Sequence, residues 1–128
     1  MGSANVLNAA TKTQDLKRTK SYYDSIITSW KLGTVTSKIS FSYDNSTNKL
    51  VNQKSASVTG TITGASVIDK KATWDLYNTT TKAGSGQVTC SWEVFMGIET
   101  AWVNIGVTVD DVSKRMRVYG NHTWKFLD

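Results

Sequence analysis

From Gln87 to Phe126, apolar and polar residues alternate over runs too long for a helix or a loop-rich chain. Val88, Cys90, Trp92, Val94 and Met96 share one parity, with Gln87, Thr89, Ser91 and Glu93 between them. Val103, Ile105, Val107 and Val109 alternate with Trp102, Asn104, Gly106 and Thr108. Met116, Val118, Trp124 and Phe126 then alternate with Arg115, Arg117, Tyr119, Asn121 and Lys125. A period of two marks half-buried strands. The stretch reads as three antiparallel strands, with turns at Gly97–Thr100 and Asp110–Ser113. Those turns set Val94 against Val103, Trp92 against Ile105, Val107 against Met116 and Ile105 against Val118. Apolar meets apolar at every pair, and a one-residue slip would send each side chain to the other face.

The rest of the chain extends the pattern. Val35, Ile39, Phe41 and Tyr43 alternate with Thr36, Lys38, Ser40 and Ser42, which predicts a strand. Asp44-Asn45-Ser46-Thr47-Asn48 predicts a turn, because Asp and Asn bond their own backbone and tolerate left-handed conformations. A return strand over Leu50–Ile62 places Ala56, Val58 and Ile62 inward, with Gly60 and Gly64 as sites of a bulge or close backbone approach. Ala65–Lys71 is a connection with a short strand at Ser66–Ile68. Ala72, Trp74 and Leu76 form the inner face of the next strand, and Asn78–Gly86 is a loop. Tyr22–Leu32 suits either periodicity, and its β-branched Ile26-Ile27-Thr28 favours a strand. Residues 1–20 have few apolar residues and read as a mobile basic segment or a weakly docked helix, with Met1-Gly2-Ser3 an expression scar. The expectation is one all-β domain over 21–128, an antiparallel sandwich or small barrel of six or seven strands joined mainly as hairpins.

Composition narrows the class. A chain of 128 residues can bury a core without staples. It has no proline, where about six would be expected at ~5 % usage, so its turns rest on Gly, Asn, Asp and Ser. A single cysteine, Cys90, forms no internal disulfide. Abundant Ser, Thr and Asn with sparse charge point to a secreted or cell-surface protein whose signal peptide has been removed, although a cytosolic location also fits. The net charge of +5 is concentrated at the start. Lys12, Lys17, Arg18 and Lys20 against Asp15 give the first twenty residues +3, which leaves +2 for the remainder. That is no nucleic-acid footprint.

The residues for common catalytic routes are missing. His122 is the only histidine, and its parity places it on the inner face beside Val118 and Trp124. Cys90 reads as a small core residue, since a thiol buried among Val88 and Trp92 is a poor nucleophile. Asp110-Asp111 reads as a hairpin turn rather than part of a calcium site. Glu93 and Glu99 are the only glutamates, and neither has a partner for acid–base work. No enzyme, metal or cofactor is expected. The outer face of the predicted meander stands out instead. The registers above put Phe95 opposite Trp102, Trp102 opposite Asn121 and Asn104 opposite Tyr119, with Arg117 and Glu93 one step away. Aromatic faces stack on sugars while amides and charges bond hydroxyls, and large exposed apolar patches mark interaction sites. The expected function is a non-enzymatic binding domain for a glycan or a protein, with Phe95, Trp102, Tyr119, Asn104, Arg117 and Asn121 as its site. The alternatives are a membrane-active protein using the basic, aromatic N-terminal segment, and a self-assembling surface protein that forms homo-oligomers.

Overall fold

A computed structural model describes residues 10–24, 27–100 and 103–128; at 96–100 and 103–109 the description covers the backbone alone. Seven strands follow one another: β1 (Thr11–Tyr23), β2 (Lys31–Asp44), β3 (Lys49–Ile62), β4 (Ser66–Tyr77), β5 (Ser85–Thr100), β6 (Val103–Tyr119) and β7 (Trp124–Phe126). They form two antiparallel sheets in strict sequence order, β1-β2-β3 and β4-β5-β6-β7. The protein is all-β, as its alternation predicts. Leu16, Val35, Ile39, Phe41 and Leu50 from the first sheet share one buried cluster with Val88, Cys90, Trp92, Val94, Val112, Met116 and Val118 from the second. Two layers over one core are compatible with a β-sandwich.

The turn after β2 forms where the sequence places it. Asp44 Oδ1 accepts bonds from Ser46 N at 2.8 Å and Ser46 Oγ at 2.7 Å, while Asn48 takes a φ of 56°. Inward positions on β3 also hold, with Val58 and Ile62 buried and Ala56 packed against the core. Gly60 is a point of close approach: a Cβ there would lie 2.5 Å from the Thr34 carbonyl oxygen.

Five expectations are corrected. Thr11–Lys20, read as a mobile segment, lies in β1, paired residue by residue with β2. Its inner face carries Leu16 among Gln14, Arg18, Lys20 and Tyr22, so the apolar half of the alternation is nearly absent. Tyr22 and Tyr23 end β1, a turn follows and β2 begins at Lys31, so Tyr22–Leu32 is not a strand of its own. The predicted turn at Asp110–Ser113 lies within the uninterrupted β6. Val94 pairs with Asp110 and Phe95 with Thr108, which leaves Val109 as the extra residue of a bulge. That bulge shifts the alternation by one residue, so that Val112, Met116 and Val118 carry the inward face beyond it, a phase change that reads in sequence as a turn. The first hairpin then closes between Thr100 and Val103 instead of at Gly97–Thr100. On β4, an irregularity between Trp74 and Leu76 turns Leu76 outward and gives its inner place to Tyr77. The Tyr77 hydroxyl crosses to the other layer and donates to the carbonyls of Val51 (2.7 Å) and Ser42 (3.1 Å).

Candidate functional site

The corrected register does not assemble the expected aromatic platform. Tyr119 pairs with Ser85, ten residues along β5 from Phe95, or about 33 Å at ~3.3 Å per residue. Asn104 pairs with Glu99, at the far end of β6 from Tyr119. Arg117 and Lys125 are register partners, and Arg117 Nη2 donates to Gln87 Oε1 across the ladder. Asn121 serves the β6–β7 turn, where its Oδ1 accepts from Thr123 Oγ1 at 2.6 Å. Phe95 is 37 % exposed, whereas Trp102 and the Asn104 side chain lie outside the described residues. Of the six, Arg117, Tyr119 and Asn121 fall at one end of the sheet and Phe95 at the other.

Cys90 and His122, weighed and set aside for catalysis, are also apart. Cys90 is buried between Ala72 and Lys114 on the neighbouring strands. Burial pushes its thiol pKa up, against the opposing effects of a Ser37 hydrogen bond and the Arg18 charge. His122, expected on the inner face, stands exposed in the β6–β7 turn with a φ of 66° and packs on Tyr43, ring centroids 5.6 Å apart. Glu93 does find a partner: a hydrogen bond to Asp69, burial and the charges of Asp69 and Asp111 raise its pKa. Asp111 is its register partner on β6, and Asp69 sits at a bulge in β4 with a φ of 52°.

A different surface gathers aromatic and charged side chains: the flank where β1 faces β6 and β7. Its aromatic part is Trp124 and Phe126. The sequence reads them in one strand with Met116 and Val118, but the chain turns after Tyr119 and β7 folds back, pairing Trp124 with Val118 and Phe126 with Met116. Both were expected in the core, yet each is 42 % exposed. The reason is width, because a three-stranded layer cannot fully cover the fourth strand of its partner. Their centroids lie 5.2 Å apart with the rings inclined at 48°, which makes an open wedge. The Arg18 guanidinium lies 4.3 Å above the Phe126 ring, within cation–π range, and donates through Nη2 to the Asp128 carbonyl.

Beside this wedge a hollow of about 230 Å³ is lined by Arg18, Thr19, Lys20, Trp92 and Lys114. A hydrogen-bond chain links two of its lining residues, Trp92 and Lys20, through Tyr22 and Asp110. Trp92, 3 % exposed, donates Nε1–H to the Tyr22 hydroxyl at 2.9 Å. Tyr22 donates in turn to Asp110 Oδ2 at 2.8 Å, which also accepts from Lys20 Nζ at 2.7 Å. Burial pushes the Tyr22 pKa up to about 12; the Trp92 bond opposes it, and the Asp110 bond and charge reinforce it. Burial also pulls Asp110 upward, but the bonds from Lys20 and Tyr22 outweigh it and hold its pKa below the ordinary value. Sequence reasoning missed this flank because Asp110 read as a turn residue and Arg18 and Lys20 as a solvated tail. The available signal was the strand parity that Arg18 and Lys20 share with Leu16 and Tyr22.

Among the described residues, no group of three or more His, Cys, Asp or Glu side chains is arranged to hold a metal ion. Comparison with protein-family models, curated proteins and solved structures finds no match for this chain.

Proposed function

We propose that this protein is a non-enzymatic binding domain, exported to the cell surface or beyond, that recognises a glycan through the wedge of Trp124 and Phe126. The observation that supports this reading is that exposed ring pair on an edge strand, with the Arg18 guanidinium lying over Phe126. Sugars present C–H faces that stack on aromatic rings and hydroxyls that bond nearby polar groups, so the wedge suits them without covalent chemistry. The Ser- and Thr-rich composition supports export. The test is a glycan-array screen of the wild type followed by titration calorimetry with Trp124→Ala. Any sugar that binds should lose at least tenfold in affinity in the variant. Undiminished binding by Trp124→Ala, or capture of proteins and no glycan, overturns the reading.

A second reading, membrane attachment, is favoured by the β1–β2 turn. There Tyr23 and Ile27 are each 53 % exposed and Trp30 is 60 % exposed, near Lys20 and Lys31. Interfacial aromatics next to cations anchor proteins to anionic bilayers. Sedimentation with phosphatidylserine vesicles that is lost in Trp30→Ser and kept in Trp124→Ala would replace the glycan reading with this one.

A further inference from the structure

We infer that the hollow beside the wedge is an anion subsite, so that the ligand of this flank carries an acidic group: a carboxylate, sulfate or phosphate. The inference rests on the reading of the flank as a binding surface and narrows what that surface takes.

Three cations line a space of about 230 Å³, and each stands at an inward register position. Arg18 opposes Ser37 and Lys20 opposes Val35 across β1–β2, and Lys114 opposes Cys90 across β5–β6. Inward positions on strands of this length otherwise carry the core. Lys20 reaches solvent, its side chain 43 % exposed, whereas Arg18 and Lys114 are half-buried, and charge held partly out of water favours a partner. One of the three is paired inside the protein, Lys20 with Asp110. Arg18 spends one face on Phe126 and one nitrogen on the Asp128 carbonyl, and its Nη1 is buried without a partner. Lys114 forms no ion pair among the described residues. The nearby Asp128 carboxylate is occupied by Arg115, accepting from its backbone N at 2.6 Å and its Nε at 3.2 Å. The cations around the hollow, Arg18, Lys20 and Lys114, thus outnumber the carboxylates near them, Asp110 and Asp128, and Asp128 also serves Arg115.

Charge, walls and size agree on the ligand. Trp92 supplies a low-polarity wall, which strengthens attraction between the cations and an incoming anion. Arginine presents a fork of donors that suits the oxygens of carboxylate, sulfate and phosphate, and lysine adds a point charge. At ~30 Å³ per water, the space takes about seven waters or one charged substituent with part of its sugar ring. The wedge would take a neighbouring ring. An acidic glycan meets both requirements at once.

The experiment separates this inference from the glycan reading. ¹⁵N-labelled protein is titrated with sodium sulfate, methyl glucuronide and methyl glucoside at constant ionic strength, following the Trp92 indole N–H and the backbone amides of Thr19 and Lys114. Sulfate and glucuronide are expected to shift these signals saturably, with glucuronide at least tenfold tighter than glucoside. Lys114→Gln, which removes a cation that holds no ion pair, should weaken both anions at least fivefold while leaving the remaining amide spectrum in place. Should that variant unfold, Lys114→Met keeps the aliphatic stem and carries the same expectation. Anion shifts that are linear, scattered over surface lysines, or equal in wild type and variant overturn the subsite. Equal affinity for glucoside and glucuronide overturns it too, while leaving the glycan reading intact. Saturable sulfate binding that Trp124→Ala leaves unchanged, with no sugar bound, supports the subsite and removes the glycan reading.

Discussion

Replacing Tyr22 with phenylalanine removes one hydroxyl and breaks the chain that ties the two layers at the flank. The Trp92 indole N–H, almost fully buried, loses its acceptor. An unsatisfied buried donor costs about 1–3 kcal/mol, and about 1.5–2 is a fair value at the edge of a core. Asp110 loses one of its two side-chain donors but keeps Lys20. A hydrogen bond to a partly exposed carboxylate with a remaining partner contributes about 0.5–1 kcal/mol. The sum is about 2–3 kcal/mol. For 128 residues, unfolding entropy converts this at about 4 °C per kcal/mol, so the midpoint should fall by about 8–12 °C. The two parts separate by pH. The folded-state pKa of Asp110 is lowered, so its contribution is present above the unfolded value near 4 and is lost as pH falls through the folded value. The Trp92 part does not titrate in that range. Urea unfolding monitored by tryptophan fluorescence should therefore show the full deficit at pH 7 and a smaller one, about 1.5–2 kcal/mol, once Asp110 is protonated in the folded state. A deficit below about 0.5 kcal/mol at pH 7, half the smallest penalty for a lone buried donor, would refute the argument that Trp92 depends on Tyr22.

Two further outcomes follow from local geometry. Glu93→Gln should stabilise the protein at pH 7: the raised folded pKa of Glu93 means its contribution is present below the unfolded value and lost as pH rises through the folded one. Thermal melts should place the variant above the wild type at pH 7 and level with it near pH 4, and an equal gap at both would contradict the Asp69 contact. Gly60→Ala should lower stability by about 1–3 kcal/mol, because the new methyl meets backbone, 2.5 Å from Thr34 O and 2.7 Å from Val35 Cα, where no side chain can swing aside. A neutral result in chemical denaturation would show that β2 and β3 separate there at little cost.

The sequence carries the fold class in full, and the elements in proportion to how strictly each strand alternates. β2, the Asp44 turn and β3 were legible because Val35, Ile39 and Phe41 alternate cleanly up to a run of turn formers. β1 was not, because its inward positions are filled by Arg18, Lys20 and Tyr22, whose partners Phe126, Asp110 and Trp92 lie far along the chain. β6 was misdivided because the bulge at Val109 shifts parity by one residue, and periodicity alone reads a phase shift as a turn. The expected site failed for that reason, since Asn104 and Tyr119 could face each other only if a turn separated them. Trp124 and Phe126 were placed on the right face with the wrong exposure. Sheet width decides exposure, and no local pattern encodes it.

Because each sheet is a run of consecutive strands, every strand ladder among the described residues joins residues on the same side of Gly64, which only the short Ile62–Ala65 bridge spans. That glycine, at a φ of 80°, sits in the short Ile62–Ser66 corner where the chain passes from one sheet to the other. Beyond that corner the halves meet through side chains and a few backbone bonds, such as Ala83 N to Asn48 O at 2.7 Å. The molecule thus amounts to two separately zippered leaves on a hinge of three residues. Straightening that hinge would let one leaf close on the complementary leaf of a second molecule, rebuilding the same core between two chains. Cutting it would yield two fragments suited to reassembly on mixing, each with its own ladders intact.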